Sequence, residues 1–155
     1  NQDIFTRDGI GSLINSTEGV LFVEMAALSD DLTYRYMTLS DGTSNNYILI
    51  SFSNTSNDIV FALVSNGVTT VPTTTINKNT TDYNKIAFKW KANDFSIWIN
   101  GVEEYSKNTG DAPLGLSIIN FKHQASNIRY FYGKVKQLQV YDTALTDTQL
   151  ASLTS

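Results

Sequence analysis

Along this chain apolar residues alternate with polar ones over short stretches, and clusters of Asn, Asp, Gly and Ser separate the stretches. A period of two belongs to strands, whose side chains point to opposite faces in turn. Segments 18–28, 33–40, 46–53, 58–65, 67–75, 84–91, 95–100, 102–106, 114–121, 127–132 and 134–141 fit that pattern. Turn residues fall between them, as at Asp41-Gly42, Asn66-Gly67 and Asn100-Gly101. Short strands without interspersed helices predict an all-β fold, a two-sheet antiparallel β-sandwich or jelly roll, as one domain over 1–155. One short C-terminal helix is predicted as well. Thr146-Asp147-Thr148-Gln149 fits a capping box, and Leu150 and Leu153 would then dock on the sandwich. Two turns of helix are not stable alone, so this one would cover an end of the core.

The most informative segment is 84–101, NKIAFKWKANDFSIWING. Ile86, Phe88 and Trp90 share one strand face, and Phe95, Ile97 and Ile99 share one face of the next. Closing the hairpin through Ala92-Asn93-Asp94 pairs Phe88 with Ile97 and Ile86 with Ile99 and sends both apolar sets inward. Trp98 then stands on the outer face over Ala87, with Lys85 and Lys89 diagonal to it and Asn100 beyond. An indole beside donors suits a sugar ring, because C–H groups stack on the aromatic face while hydroxyls or carboxylates take hydrogen bonds. The bland alternative is an indole covered by a loop or stacked on its own lysines. Tyr34 and Tyr36 also face outward, since Met37 and Leu39 look like core, and could extend a platform. Glu24 and Arg35 read as an ion pair within the sandwich, and His123 as an ordinary surface histidine.

Composition narrows the function. The chain has 18 Thr, 15 Ser and 15 Asn among 155 residues, no Cys and a single His, which excludes disulfides, thiolate chemistry and His-rich metal sites. Eleven basic against 15 acidic residues leave a net charge of −4, a poor match to nucleic acid, where affinity comes from neutralising phosphates. No run approaches the roughly 18 apolar residues that a membrane span needs. The first residue is Asn rather than Met, so the chain reads as a piece of a longer or processed protein.

The stretch 131–153, FYGKVKQLQVYDTALTDTQLASL, resembles the closing motif of laminin G-like, concanavalin A-like jelly rolls, with Phe131, Gly133, Val135, Tyr141, Ala144, Leu145 and Leu150 at the family positions. FSIWINGV (95–102) and RYMTLSDG (35–42) are further matches, and EGVLFVE with KVKQLQVY looks like domains of phage tail and marine-bacterial surface proteins. The resemblance implies a domain that binds glycans or proteins or serves as a structural adaptor. Many family members carry an Asp after that Gly that helps bind calcium; here Lys136 stands there and cannot ligate. Calcium is therefore not favoured, and any ion would need oxygen donors such as Asp30, Asp31, Asp41 or Asp142.

Enzyme motifs are missing. Retaining glycoside hydrolysis needs two carboxylates about 5–5.5 Å apart, yet no Glu-x-Asp-x-Glu strand occurs, and Glu103 and Glu104 must face opposite ways. No Gly-x-Ser-x-Gly turn or phosphate loop is present. The expectation is a non-catalytic, lectin-like module of an extracellular or virion surface protein. Its partner would be a poly- or oligosaccharide, an acidic one if Lys85 and Lys89 engage it, bound through several copies on an oligomer or tandem array, with no nucleic acid and no membrane insertion. The alternative is a purely structural tail or fibre domain without glycan binding.

Overall fold

The computed structural model describes residues 5–155; the first four residues of the expected 1–155 domain lie outside that range. The strands are β1 (Thr6–Arg7), β2 (Glu18–Ala27), β3 (Arg35–Ser40), β4 (Tyr47–Phe52), β5 (Asp58–Ser65), β6 (Val68–Asn77), β7 (Asn84–Lys91), β8 (Phe95–Ile99), β9 (Val102–Lys107), β10 (Ile118–Asn120) and β11 (Gly133–Tyr141), followed by helix α1 (Asp147–Thr154). They form a six-stranded sheet, β1-β10-β3-β4-β5-β6, and a five-stranded sheet, β11-β2-β7-β8-β9. All the pairings between these strands are antiparallel. The fold is the expected jelly-roll sandwich.

Alternation decides what lies between the sheets. Leu21, Val23 and Met25 of β2, Ile86, Phe88 and Trp90 of β7, and Ile48 and Ile50 of β4 share one buried core. The intervening residues face away from it. Close approach matters at one glycine. A Cβ on Gly19 would sit 2.5 Å from the Trp90 ring and 2.5 Å from the Tyr141 carbonyl, so only glycine lets β2 pass there.

The β7–β8 hairpin has the expected register, with Ile86 opposite Ile99, Ala87 opposite Trp98 and Phe88 opposite Ile97. Trp98 does point to the outer face, but it is not open to solvent. Helix α1 lies across it, and Leu150 closes a second apolar cluster with Val20, Phe22, Ala87 and Trp98. The indole is only 8% exposed, and its N–H donates to Ser96 Oγ at 3.1 Å.

The helix is fastened at both ends. Thr146 Oγ1 accepts the Gln149 N–H at 3.3 Å and Gln149 Oε1 accepts the Thr146 N–H at 2.9 Å, the expected capping box. Thr154 Oγ1 accepts the Gly101 N–H at 3.1 Å, and Lys85 Nζ donates to the Ser155 carbonyl. Lys89, buried, pairs with Asp94 at 2.6 Å and reaches Asp147 at 3.6 Å. Asn100 accepts from the Lys85 N–H at 3.0 Å and donates to Asn84 at 2.9 Å. Trp98, Lys85, Lys89 and Asn100 thus hold the helix and the hairpin turn together and do not form an open platform.

Two other expectations change. Segment 127–132 is not a strand, because Arg129 adopts φ 54° and breaks the extended run; it contributes one parallel bridge, Tyr36 to Tyr130. Glu24 and Arg35 belong to different sheets. Glu24 pairs with Lys136 at 3.0 Å and Arg35 with Asp31 at 2.6 Å.

Leu150→Ala is expected to cost about 2–5 kcal/mol, the range for truncating a buried leucine. Urea unfolding should register that loss, and tryptophan emission should shift to the red as Trp98 meets water. An unchanged midpoint would show that α1 is not anchored through Leu150.

Candidate functional site

Among the described residues no helix covers the outer face of the six-stranded sheet. A groove of about 520 Å³ runs over it, floored by Tyr36, Leu49 and Ala62 from three adjacent strands. These residues alternate with the core-facing Met37, Ile48, Ile50, Phe61 and Leu63, so strand period alone places them outward. Tyr34 and Tyr47 flank the floor, and Thr73 and Thr75 border it on the β6 side. Burial, with Tyr36 alongside, pushes the Tyr47 phenol above its ordinary range, so it stays a neutral hydroxyl at physiological pH.

The remaining wall is a loop between β10 and β11. Its base is pinned. Phe131 N–H donates to the Phe121 carbonyl at 2.8 Å, the two rings meet edge to face at 5.4 Å, and Phe131 is buried in the core. Tyr36 N–H donates to the Arg129 carbonyl at 3.0 Å. Held this way, the loop folds His123, Gln124 and Arg129 over the groove. Arg129 pays for the placement with a left-handed backbone that non-glycine residues rarely adopt, at φ 54°.

The side chains form a stack. The Arg129 guanidinium lies 4.8 Å from the Tyr34 ring centroid and 5.0 Å from that of Tyr36, and it donates to the Tyr36 hydroxyl. Tyr34 meets Tyr36 edge-on at 6.1 Å, and His123 stacks on Tyr36 at 5.8 Å. Arg129 is exposed and Tyr34 is half-buried, so cation and ring are both within reach of a ligand.

Of the residues that the sequence singled out, the structure brings Tyr34 and Tyr36 into this groove. Trp98, Lys85, Lys89 and Asn100 lie on the other sheet or in its hairpin turn. Asp30 and Asp31 share the β2–β3 loop, whereas Asp41 and Asp142 lie in turns of their own. Asp30 accepts from Ser56 and from the Asn57 N–H at 3.2 Å, and Asp31 from the Thr33 N–H at 3.2 Å besides its pair with Arg35. Asp41 accepts from Thr43 N–H at 2.8 Å and from Asn46 at 2.9 Å. Its burial would raise the carboxyl, but hydrogen bonds from Thr43 and Asn46 outweigh that and hold it below the usual range. Asp142 offers its backbone carbonyl to Asn15 at 3.0 Å. Among the described residues no three His, Cys, Asp or Glu side chains converge as a metal site. The sequence leaves Tyr47 ambiguous as a platform residue, gives no signal for Gln124 or Arg129, and marks His123 only as ordinary surface. Alternation marks Tyr47 as outward, but nothing local shows that the 121–131 loop returns to β3.

Residues 21–151 match the model of the concanavalin A-like lectin/glucanases superfamily, and the chain belongs to that family. No curated protein matches its sequence. Solved structures share the fold at low identity. The Ruminococcus gnavus IT-sialidase CBM40 bound to α2,3 sialyllactose is 14% identical with a TM-score of 0.77, covering 100% of this chain and 95% of that one. Domain 4 of AbnA, a GH43 extracellular arabinanase from Geobacillus stearothermophilus in complex with arabinotriose, is 18% identical with a TM-score of 0.70, covering 100% and 82%. The native heptameric SAP-like pentraxin of Limulus polyphemus is 13% identical with a TM-score of 0.66, covering 90% and 70%.

Burial holds the His123 imidazole below its ordinary range, and the Arg129 charge pushes the same way. Its Nδ1 accepts the Ala125 N–H at 3.3 Å, which leaves the proton of the neutral ring on Nε2. A histidine whose folded pKa lies below its unfolded value is protonated more readily when unfolded, so it withdraws stability as pH falls through about 6.5. His123→Phe keeps a ring on Tyr36 and removes the titration. Denaturant midpoints between about pH 7.5 and 5 should then fall less steeply than in wild type; identical slopes would mean that His123 titrates as a free imidazole.

Proposed function

We propose that this domain is a non-catalytic carbohydrate-binding module whose site is the groove on the outer face of the six-stranded sheet, with acidic saccharides as its preferred ligands. The observation that carries the proposal is the exposed Arg129 guanidinium held against the rings of Tyr34 and Tyr36 in an open groove. A tyrosine face takes the C–H side of a sugar, and a guanidinium has five donors, of which Tyr36 occupies one. The remaining edge suits a carboxylate. Sialyllactose and arabinotriose, the saccharides bound by two of the similar domains, support the class of ligand. Asp58 is the one carboxylate among the groove-lining residues, whereas hydrolysis with retention requires a pair.

Magnitudes set the mode of use. Stacking that removes about 100 Å² of apolar surface contributes about 2.5 kcal/mol. Each hydrogen bond adds about 1 kcal/mol before the cost of ordering the ligand. A single groove then binds at roughly millimolar to tens of micromolar. Firm attachment requires several copies, which is our reason to place the domain on an oligomer or tandem array at an extracellular or virion surface. A second reading, an adaptor domain of a tail or fibre, draws on an apolar shelf of Tyr141, Leu145 and Leu153 beside α1. Docking there would leave the groove open.

An array holding sialyllactose, oligogalacturonates and arabinotriose tests the proposal. Arg129→Met should weaken acidic glycans about tenfold or more and neutral ones less, as expected for charge-assisted hydrogen bonds. Tyr34→Ala should weaken both classes. Unaltered binding by both variants, or no glycan binding by wild type, would refute it.

A further inference from the structure

We infer that the binding site continues beyond the tyrosine groove into a second saccharide subsite between β10 and the 122–127 loop, where Asn120 and Gln124 accept hydrogen bonds from the hydroxyl groups of an uncharged sugar unit. The inference rests on the groove reading above and extends it.

Among the described residues, four buried side-chain polar atoms have no hydrogen-bond partner: Ser51 Oγ, Trp90 Nε1, Asn120 Oδ1 and Gln124 Oε1. A buried acceptor without a donor has lost its water and gained nothing, so such atoms need a reason in a native fold. Trp90 is in the core. The other three sit on the side of the six-stranded sheet that faces away from it. Ser51 pairs with Tyr36 and Val60, both in the groove lining, and Asn120 pairs with Thr38 on the same strand as Tyr36. Gln124 belongs to the groove wall.

A second hollow, of about 280 Å³, opens on the far side of Gln124. Thr6, Asn120, Lys122, Gln124 and Asn127 border it, so Gln124 is common to both spaces. Asn120 is 4% and Gln124 7% exposed. Among the described residues Gln124 reaches one partner with its amide nitrogen, Ser44 Oγ at a long 3.5 Å, so the side chain is lightly held and can turn. Lys122 already donates to Asn127.

The chemistry of the two spaces differs in sign. Arg129 offers donors and positive charge. Asn120 and Gln124 leave amide oxygens unsatisfied, which calls for a ligand that donates. An ionised carboxylate cannot donate, whereas sugar hydroxyls and N-acetyl N–H groups can. The two together describe an oligosaccharide with an acidic unit over the tyrosines and an uncharged, hydroxyl-rich unit next to it. On binding, both amides turn outward to meet that second unit.

Titrations of ¹³C,¹⁵N-labelled protein with free sialic acid and with sialyllactose separate the two subsites. Both probes should shift the Arg129 Nε and Tyr34 ring signals. Only sialyllactose should shift the side-chain amides of Asn120 and Gln124, and it should bind about tenfold more tightly, the worth of one or two hydrogen bonds. The single variant Asn120→Leu, at a residue that borders only the second hollow, should remove most of that gain and leave sialic acid binding unchanged. If Arg129 and Tyr34 respond to both probes while the amides stay still and the affinities are equal, the second subsite is wrong and the groove stands. If neither probe moves any of these signals, the groove reading falls with it.

Discussion

A β-sandwich has two outer faces, and the docking of α1 decides which of them is free. Leu150 seats the helix on Val20, Phe22, Ala87 and Trp98, so the apolar outer stripe of the five-stranded sheet is closed. Without that contact the domain would expose a tryptophan and a phenylalanine together, a patch that invites association. With it, the Trp98 stripe of the five-stranded sheet is closed, and the six-stranded sheet presents Tyr34, Tyr36 and Arg129 in an open groove.

The same constraint assigns the charges. Lys85 and Lys89 are spent on the end of α1 and on Asp94 and Asp147. The groove therefore relies on Arg129, which a pinned loop delivers from outside the sheet. The left-handed backbone at Arg129 and the stack on Tyr34 and Tyr36 describe a guanidinium oriented before any ligand arrives. Preorganisation of this kind reduces the ordering cost that limits a shallow sugar site.

Most of the sandwich is legible in the sequence, because period-two alternation is a local signal. The register of the β7–β8 hairpin follows from two apolar triplets and a short turn, and the capping box marks the start of α1 at the residue. The covering of Trp98 is not local. It depends on Leu150, more than fifty residues along the chain, although outward-facing Val20 and Phe22 on β2 carry a hint that this face is dry. Tyr34 and Tyr36 are legible as outward by the same alternation. Arg129 and His123 are not, since a loop closed by Phe121 and Phe131 brings them back to β3 across some ninety residues.

Hydroxyl-radical footprinting, with and without a saturating acidic oligosaccharide, tests this division of the two faces most directly. Trp98 should resist oxidation in both states, while Tyr34 and Tyr47 should be oxidised in the free protein and protected in the complex. Ready oxidation of Trp98 in the free protein, with protection appearing there on ligand binding, would contradict the account.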